Sequence, residues 1–529
     1  MFKRLLSSLI LILILVTGII IGMLLTRDRY LSLLNKSYSV NKLNYTMALI
    51  ENMYVDTVSM DSLNEKVLPL LLKELDPHSV YIPRKEMGEA NEVLEGGFDG
   101  IGIVFNMTTD TVIVLNVING GPSDKAGLRN GDRIVEIDSE NVAGKKVAQT
   151  QIMKKLRGKK GTIVKLGLER EGIDELVKVE VERGKIPIKS MDAAFMLTPE
   201  IGFLKLSAFS RTSFTEVRDA IAELKEEGMT KLVFDLRGNT GGFLDQAILI
   251  ANEFLPIGSM IVYTQDRAGN QAKEFSNAKG KSKDIDLVIL LDEQSASSSE
   301  ILAGAIQDND RGVIIGRRSY GKGLVQQQIP YGDGSAIRLT IARYYTPTGR
   351  SIQKPYDKGV DAYRRDLLDR YVHQEFFNQD SIQFADTVKY ITPKGKVLYG
   401  GGGIMPDIFV PVDTTQVTKY FTQVSGKNIL YKFTIKYSDA NRKAINNIKT
   451  LAQLDKFFNN DNALMNEFVA YAKAQGVSAT KQEIAESKEL ILTQLKAYIG
   501  RNTPLQEVAF YASIQDIDDI LKRAIKELE

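Results

Sequence analysis

The residues with the clearest chemical potential lie between Gln294 and Gln328, QSASSSEILAGAIQDNDRGVIIGRRSYGKGLVQQQ. A serine cluster opens a helical pattern, a short apolar strand VIIG follows, then a lysine between glycines and a glutamine-rich strand. A hydroxyl becomes a useful nucleophile only beside a base. The chain has 2 histidines, His78 and His373, and no cysteine, so histidine bases are scarce and a thiol nucleophile is excluded. His78 stands in LDPHSVYIP, between two prolines, and reads as a turn or packing residue; His373 falls in a helical stretch and reads as a surface or packing residue. Lysine and carboxylates are then the bases left. Ser297 and Lys322 form the candidate pair, and the chemistry is acyl transfer at a carbonyl.

A lysine must be neutral to accept a proton. Lowering its reference pKa of ~10.4 to near 7.5 costs about 4 kcal/mol, and burial in an apolar pocket supplies shifts of that size. Lys322 stands between Gly321 and Gly323 with Leu-Val following. In an extended strand Lys322, Leu324 and Gln326 share one face, so Gln326 can orient the amine without adding charge. The oxyanion needs backbone N–H donors at a helix start or glycine turn. Ser298 begins the helix, and Gly241-Gly242 can bring a second donor from a neighbouring strand end. The same residues also have a plainer meaning. Ser297-x-x-Glu300 is a capping-box pattern, Ser295, Ser298 and Ser299 can cap equally well, and a lysine between glycines is commonly a loop residue.

The elements that must position these groups alternate. IGFLKLSAF, KLVFDLRGNTGG and DLVILLDEQ read as strands, the last two buried; SFTEVRDAIAELKEEG and FLDQAILIANEFL read as amphipathic helices. Strand–helix alternation implies a largely parallel sheet with sites at strand C-terminal ends, where both GNTGG and QSASSSE fall. Residues 354–398 are more polar and aromatic, with a helix around DAYRRDLLDRYVHQEFF, and GGGGIMPDIFVP returns to the sheet pattern. Upstream, LNYTMALIENMYV and SLNEKVLPLLLKELD carry helical spacing. Downstream of about 426 three further helical stretches show no chemistry and suggest packing, assembly or partner contact.

A length of 529 residues exceeds one core. The net charge of +2 leaves no footprint for nucleic acid, and scarce histidine with no cysteine speaks against a zinc site. Residues 5–25, LLSSLILILILVTGIIIGMLL, carry no charge and follow Lys3-Arg4. That length suits a membrane span with the positive end cytoplasmic. No small-x-small exit follows, so an uncleaved anchor is expected rather than a signal peptide.

Residues 89–184 resemble a PDZ domain. Gly100-Ile101-Gly102-Ile103 matches the carboxylate-binding loop, and Pro122, Ala126-Gly127-Leu128, Gly131-Asp132 and Ile134 match its PxxxAGLxxGDxI stretch. The resemblance implies capture of a peptide C-terminus by strand addition. From about residue 40 to 411 the chain resembles the carboxyl-terminal processing proteases, serine/lysine endopeptidases with an embedded PDZ domain. The matching stretches are LDPHSVY, FDLRGNTGG, SASSSEILAGAIQD, GRRSYGKGLVQ, YYTPTGRSIQ and GGGIMPDIFVP. By this resemblance Ser297 is the nucleophile, Lys322 the general base and Gln326 the lysine-orienting residue. The oxyanion hole falls on the N–H of Ser298 and of Gly241 or Gly242. The family often has alanine where Ser298 stands; the serine keeps the backbone donor and adds a rival hydroxyl.

The expected architecture is multidomain α/β: a membrane anchor (1–26), a helical segment (27–88), a PDZ domain (89–184), an α/β peptidase core of ClpP/crotonase-like type (185–425) and a helical C-terminal domain (426–529). The expected activity is that of a periplasmic, inner-membrane-anchored endopeptidase acting on protein C-termini without cofactor or metal. Homo-oligomers or an adaptor can engage the helical segments. Two other classes fit part of the pattern: an inactive PDZ scaffold, and a crotonase-like enzyme of acyl thioesters, which the expected export opposes.

Overall fold

The computed structural model describes residues 16–18, 42–107, 110–118, 120–170, 172–383 and 388–529. The anchor expected over residues 5–25 lies outside the described residues apart from Val16–Gly18. Among the described residues no helix is long and apolar enough to cross a membrane. The chain divides into two compact units, Met1–Leu75 and Asp76–Glu529. The first holds helices α1 (Lys42–Met53) and α2 (Met60–Lys73), the latter capped by Ser59, whose side chain accepts the Ser62 N–H.

The second unit begins where helical periodicity stops. Pro77 and Pro83 each lack a donor and resist helix. The residues between them turn extended as β1 (Val80–Ile82), a strand within the stretch 27–88 that was expected to be helical. A short helix α3 (Met87–Glu92) then leads into the PDZ module.

That module comprises β2 (Gly97–Gly100), β3 (Ile103–Asn106), β4 (Val112–Val117), α4 (Pro122–Lys125), β5 (Arg133–Ile137), β6 (Glu140–Asn141), α5 (Gln149–Leu156), β7 (Ile163–Arg170), β8 (Ile173–Glu182) and β9 (Gly184–Pro187). Its main sheet runs β3-β4-β5-β7-β8, with β6 on β5, while β2 pairs β9 where the chain enters and leaves. Ile152 and Leu156 of α5 join Val114, Ile134 and Leu166 in one core.

The largest α/β block is built on a six-stranded sheet in the order β10-β11-β12-β15-β16-β21. Its members are β10 (Met191–Met196), β11 (Ile201–Leu206), β12 (Lys231–Asp235), β15 (Asp286–Leu291), β16 (Val313–Gly316) and β21 (Ile408–Phe409). Only β10 runs antiparallel. Alternation along the buried strands sends Leu232, Phe234, Leu287 and Ile289 to one face, where helices α6 (Ser213–Glu226), α7 (Leu244–Phe254) and α8 (Ser298–Asp308) pack. In α6 the buried Val217, Ala220, Ile221 and Leu224 follow the spacing of one helical face. Helix α8 is buried along its whole length.

A second sheet, β1-β18-β13-β14 with β17 on β18, supplies the other side of the site. It contains β13 (Met260–Asp266), β14 (Gln271–Phe275), β17 (Leu324–Pro330) and β18 (Ala336–Tyr345). Helix α9 (Val360–Val372) follows, then a hairpin of β19 (Tyr390–Ile391) and β20 (Val397–Leu398).

The C-terminal helices are α10 (Lys419–Gly426), α11 (Ile429–Ala440), α12 (Arg442–Ile445), α13 (Leu451–Phe457), α14 (Asp461–Ala474), α15 (Lys481–Glu486), α16 (Lys488–Gly500), α17 (Glu507–Ile514) and α18 (Asp519–Leu528). Helices α10, α11, α14 and α16 share a core of their own around Phe433 and Phe468. The last helix does not. Ile520, Leu521, Ala524 and Leu528 of α18 cover the second face of the six-stranded sheet, against Phe203, Val233, Val288, Leu290 and Ile315. Each large side chain buried this way contributes about 1.5–3 kcal/mol, so α18 is an integral part of the sheet's packing.

Candidate active site

Ser297 is the N-cap of α8, with φ 57° and ψ −113°. Positive φ is costly outside glycine, and neighbouring bonds hold it. The Ser297 N–H donates to Glu300 Oε2 at 2.8 Å, and its carbonyl lies 3.1 Å from the Tyr344 hydroxyl.

The other serines of the cluster tie this turn to the glycine turn after β12. Ser295 Oγ donates to the Leu236 carbonyl at 2.9 Å, Ser299 Oγ to the Asn239 carbonyl at 2.9 Å, and Ser298 Oγ to the Gly242 carbonyl at 3.0 Å. The hydroxyl of Ser298 is thereby engaged by the glycine turn. Gly241 has φ +101°, and a Cβ on it would sit 2.7 Å from Ser297 Cβ. Its N–H is taken by Asn239 Oδ1 at 2.9 Å. The N–H groups of Gly242 and Ser298 have no hydrogen-bond partner among the described residues.

Lys322 lies in the loop before β17, which begins at Leu324. The register also shifts between Val325 and Gln326. The simple one-face relation expected for Lys322, Leu324 and Gln326 therefore gives way to a loop and a bulge, because both flanking glycines approach other backbone. A Cβ on Gly321 would sit 3.1 Å from Gly403 N, and one on Gly323 3.1 Å from Gln353 N. Gln326 stays half-buried, and its Nε2 is buried with no hydrogen-bond partner among the described residues.

Glu300 joins the two halves. Its buried carboxylate accepts the Ser319 hydroxyl at 2.5 Å and the Gly321 N–H at 2.7 Å on Oε1, and the N–H groups of Ser297 (2.8 Å) and Lys322 (2.9 Å) on Oε2. The Tyr344 hydroxyl, 2.5 Å from the Lys322 carbonyl, adds a second clamp. The capping box expected from sequence is present and does more than end a helix: Glu300 caps α8 and also carries the lysine loop.

Burial pushes the Lys322 amine below its ordinary pKa, Arg338 adds to this, and Glu300 and Asp76 partly oppose it. Burial raises the Glu300 carboxyl to about 7 against the pull of its four donors. His78 is lowered to about 4 by burial and by Lys322, and its Nε2 lies 2.9 Å from the Tyr363 hydroxyl. It is therefore neutral near pH 7, and makes no hydrogen bond to Ser297 or Lys322. His373 is exposed at the end of α9.

In the PDZ module, β3 is an edge strand, the geometry strand addition requires. Gly100 ends β2, Ile101 is buried, Gly102 has φ +76° and Ile103 starts β3. The joining role of Glu300 and the clamp by Tyr344 were not legible beforehand. The first was visible only as a cap and the second only as part of YYTPTG.

A model of peptidase family S41 matches residues 200–362, a PDZ domain model residues 100–181, and a family of unknown function (DUF8443) residues 420–503. The chain is 32% identical over 326 residues to the carboxy-terminal processing protease CtpB of Bacillus subtilis (strain 168), covering 61% of this chain and 67% of that protein. It is 32% identical over 337 residues to a probable CtpA-like serine protease of Staphylococcus aureus (strain N315), covering 63% of this chain and 66% of that one. The chain thus spans about two thirds of the length of these curated relatives. Among solved structures it resembles a photosystem II D1 C-terminal processing protease, with 24% identity, a TM-score of 0.35, and coverage of 69% of this chain and 91% of that one. The relative at 32% identity over two thirds of its length, with the S41 and PDZ matches, leads to one assignment: the chain belongs to the carboxyl-terminal processing protease family of serine-type endopeptidases.

Proposed function

We propose that the chain cleaves proteins from or near their C-termini by a Ser–Lys mechanism, with the PDZ domain engaging the substrate's terminal carboxylate through Gly100–Ile103. The observation that carries this reading is the shared carboxylate of Glu300, which accepts the N–H of both Ser297 and Lys322. Neutral Lys322 takes the proton from Ser297 Oγ as the oxygen attacks the scissile carbonyl carbon. The tetrahedral oxyanion meets the N–H groups of Ser298 and Gly242, with the positive end of the α8 dipole behind it. The lysine ammonium then protonates the leaving amine. A water, deprotonated by the same lysine, hydrolyses the acyl-enzyme. Gln326 holds the amine through its side-chain amide. Residues 5–25 anchor the chain in the cytoplasmic membrane with residues 27–529 on the outer side.

The test is cleavage of an unfolded protein by the parent chain, Ser297→Ala and Lys322→Ala, with a C-terminally amidated copy of the substrate alongside. Loss of cleavage in both variants and slower cleavage of the amidated copy are expected. Undiminished cleavage in either variant would reject the dyad. A folded parent that binds C-terminal peptides without cleaving would favour a scaffold. Carbonate extraction and protease accessibility of spheroplasts test the anchor.

A further inference from the structure

Arg237 lies two residues beyond the end of β12 and immediately precedes the GNTGG turn. Its guanidinium is held from two sides. Asp235 Oδ2 accepts Nη2 at 2.7 Å on one side. On the other, Asp518 accepts Nη1 at 2.7 Å and Nη2 at 2.6 Å as a two-oxygen fork. Asp518 is the N-cap of α18, its Oδ1 also accepting the Leu521 N–H at 3.1 Å. Both members of the pair are largely shielded, at 17% and 14% side-chain exposure, so salt screens them little.

From Arg237 the chain runs without slack to the nucleophile. The Arg237 N–H is on Asp235 Oδ1 at 2.8 Å, and its carbonyl accepts the Lys205 ammonium. The Gly238 N–H is on Asp292 Oδ1 at 2.9 Å. Asn239 binds the Gly241 N–H through its side chain and Ser299 Oγ through its carbonyl. One end of this path is a side chain at the close of the helical C-terminal region. The other is the turn whose glycine faces Ser297.

We infer that Asp518 is a positioning residue for peptide cleavage: through its fork on Arg237, the last helix holds the oxyanion turn in register with Ser297. Removing its charge leaves at least one N–H on that edge of the buried guanidinium without an acceptor, and the cheapest relief is movement of the Arg237–Asn239 backbone. A displacement of the order of 1 Å in such a turn costs about 100-fold in rate. The inference rests on the reading of Ser297 as nucleophile.

Asp518→Asn separates positioning from folding, because asparagine caps a helix about as well as aspartate but carries no charge. Turnover of an unfolded substrate, rate of acylation by a fluorophosphonate probe, KM and Tm would be measured on the full chain. Parent, Ser297→Ala, Asp518→Asn, Asp518→Ala and Asp519→Asn would be compared. The expected result for Asp518→Asn is a fall in kcat and in acylation rate of about 10- to 100-fold. KM should stay within about twofold and Tm near that of the parent. Asp518→Ala should match that loss and lower Tm as well. Asp519, half-exposed and 3.7 Å from Lys522, serves as the control with unchanged turnover. Parental kcat in Asp518→Asn, or rate losses that appear only in Asp518→Ala together with its loss of Tm, would overturn the inference. A parent whose activity survives Ser297→Ala would instead remove the reading beneath it.

Discussion

The N–H groups of Ser297 and Lys322 end on the same oxygen of Glu300, at 2.8 and 2.9 Å. The two segments that carry the proposed nucleophile and base are thus aligned through one buried carboxylate, and an error in that group displaces both.

Glu300→Gln tests this directly. An amide offers one acceptor oxygen, so either the Ser297/Lys322 pair or the Ser319/Gly321 pair of donors faces an NH2 group. Each buried donor left unsatisfied costs about 1–3 kcal/mol. Denaturant titration should show a loss of a few kcal/mol, with turnover down by at least about 100-fold. Near-parental turnover would remove Glu300 from the alignment.

Glu300 also predicts a pH slope. Its folded pKa of about 7 exceeds its ordinary 4.5, so the folded state holds more protons across that window. The group's contribution to stability is full below about 4.5 and is lost as pH rises through 7. The difference in stability between parent and Glu300→Gln, measured from pH 5 to 8, should change in that direction. A constant difference would contradict it. Activity should run the other way, rising as the carboxylate forms and accepts all four donors.

Lys322→Met should abolish cleavage and leave the fold as stable or more so at pH 7. The folded pKa of Lys322 lies below its ordinary 10.5. The buried ammonium is therefore a penalty at lower pH that fades as pH rises toward 10.5. A thermal melt with Tm well below the parent's would mean that the amine stabilises the fold, against this account.

Gln326→Glu places a carboxylate where the buried amide now stands. It should stabilise the ammonium form of Lys322 and move the acid limb of kcat/KM upward by about one unit or more. A pH–rate profile with an unmoved limb would separate Gln326 from the lysine.

Gly241→Ala forces a Cβ to within 2.7 Å of Ser297 Cβ at φ +101°. Turnover and probe labelling of Ser297 should fall together by at least about 100-fold. Labelling at the parental rate would mean that this glycine does not border the oxyanion site.

Much of this molecule was readable from sequence because its signals are local. Apolar spacing marked α6, α7 and α8, the buried runs KLVFD and DLVILL marked central strands, and the glycine and serine turns at their ends marked where chemistry could sit. The PDZ stretch was readable for the same reason: its turn residues stand at fixed offsets. Local signals failed where partners lie far apart. The strand at Val80–Ile82 forms because β18, more than two hundred residues later, offers it an edge. Lys322 leaves the strand pattern because Gly321 and Gly323 pack against the backbone of Gly403 and Gln353. Glu300 reads in sequence as a helix cap, and only the fold brings the lysine loop onto its remaining lone pairs. Arg237 and Asp518 stand 281 positions apart, so no periodicity links them. Sequence determined which groups the protein carries and which element bears each one. The tertiary structure decided which of them share a hydrogen-bond partner, because that depends on where distant backbone segments come to rest.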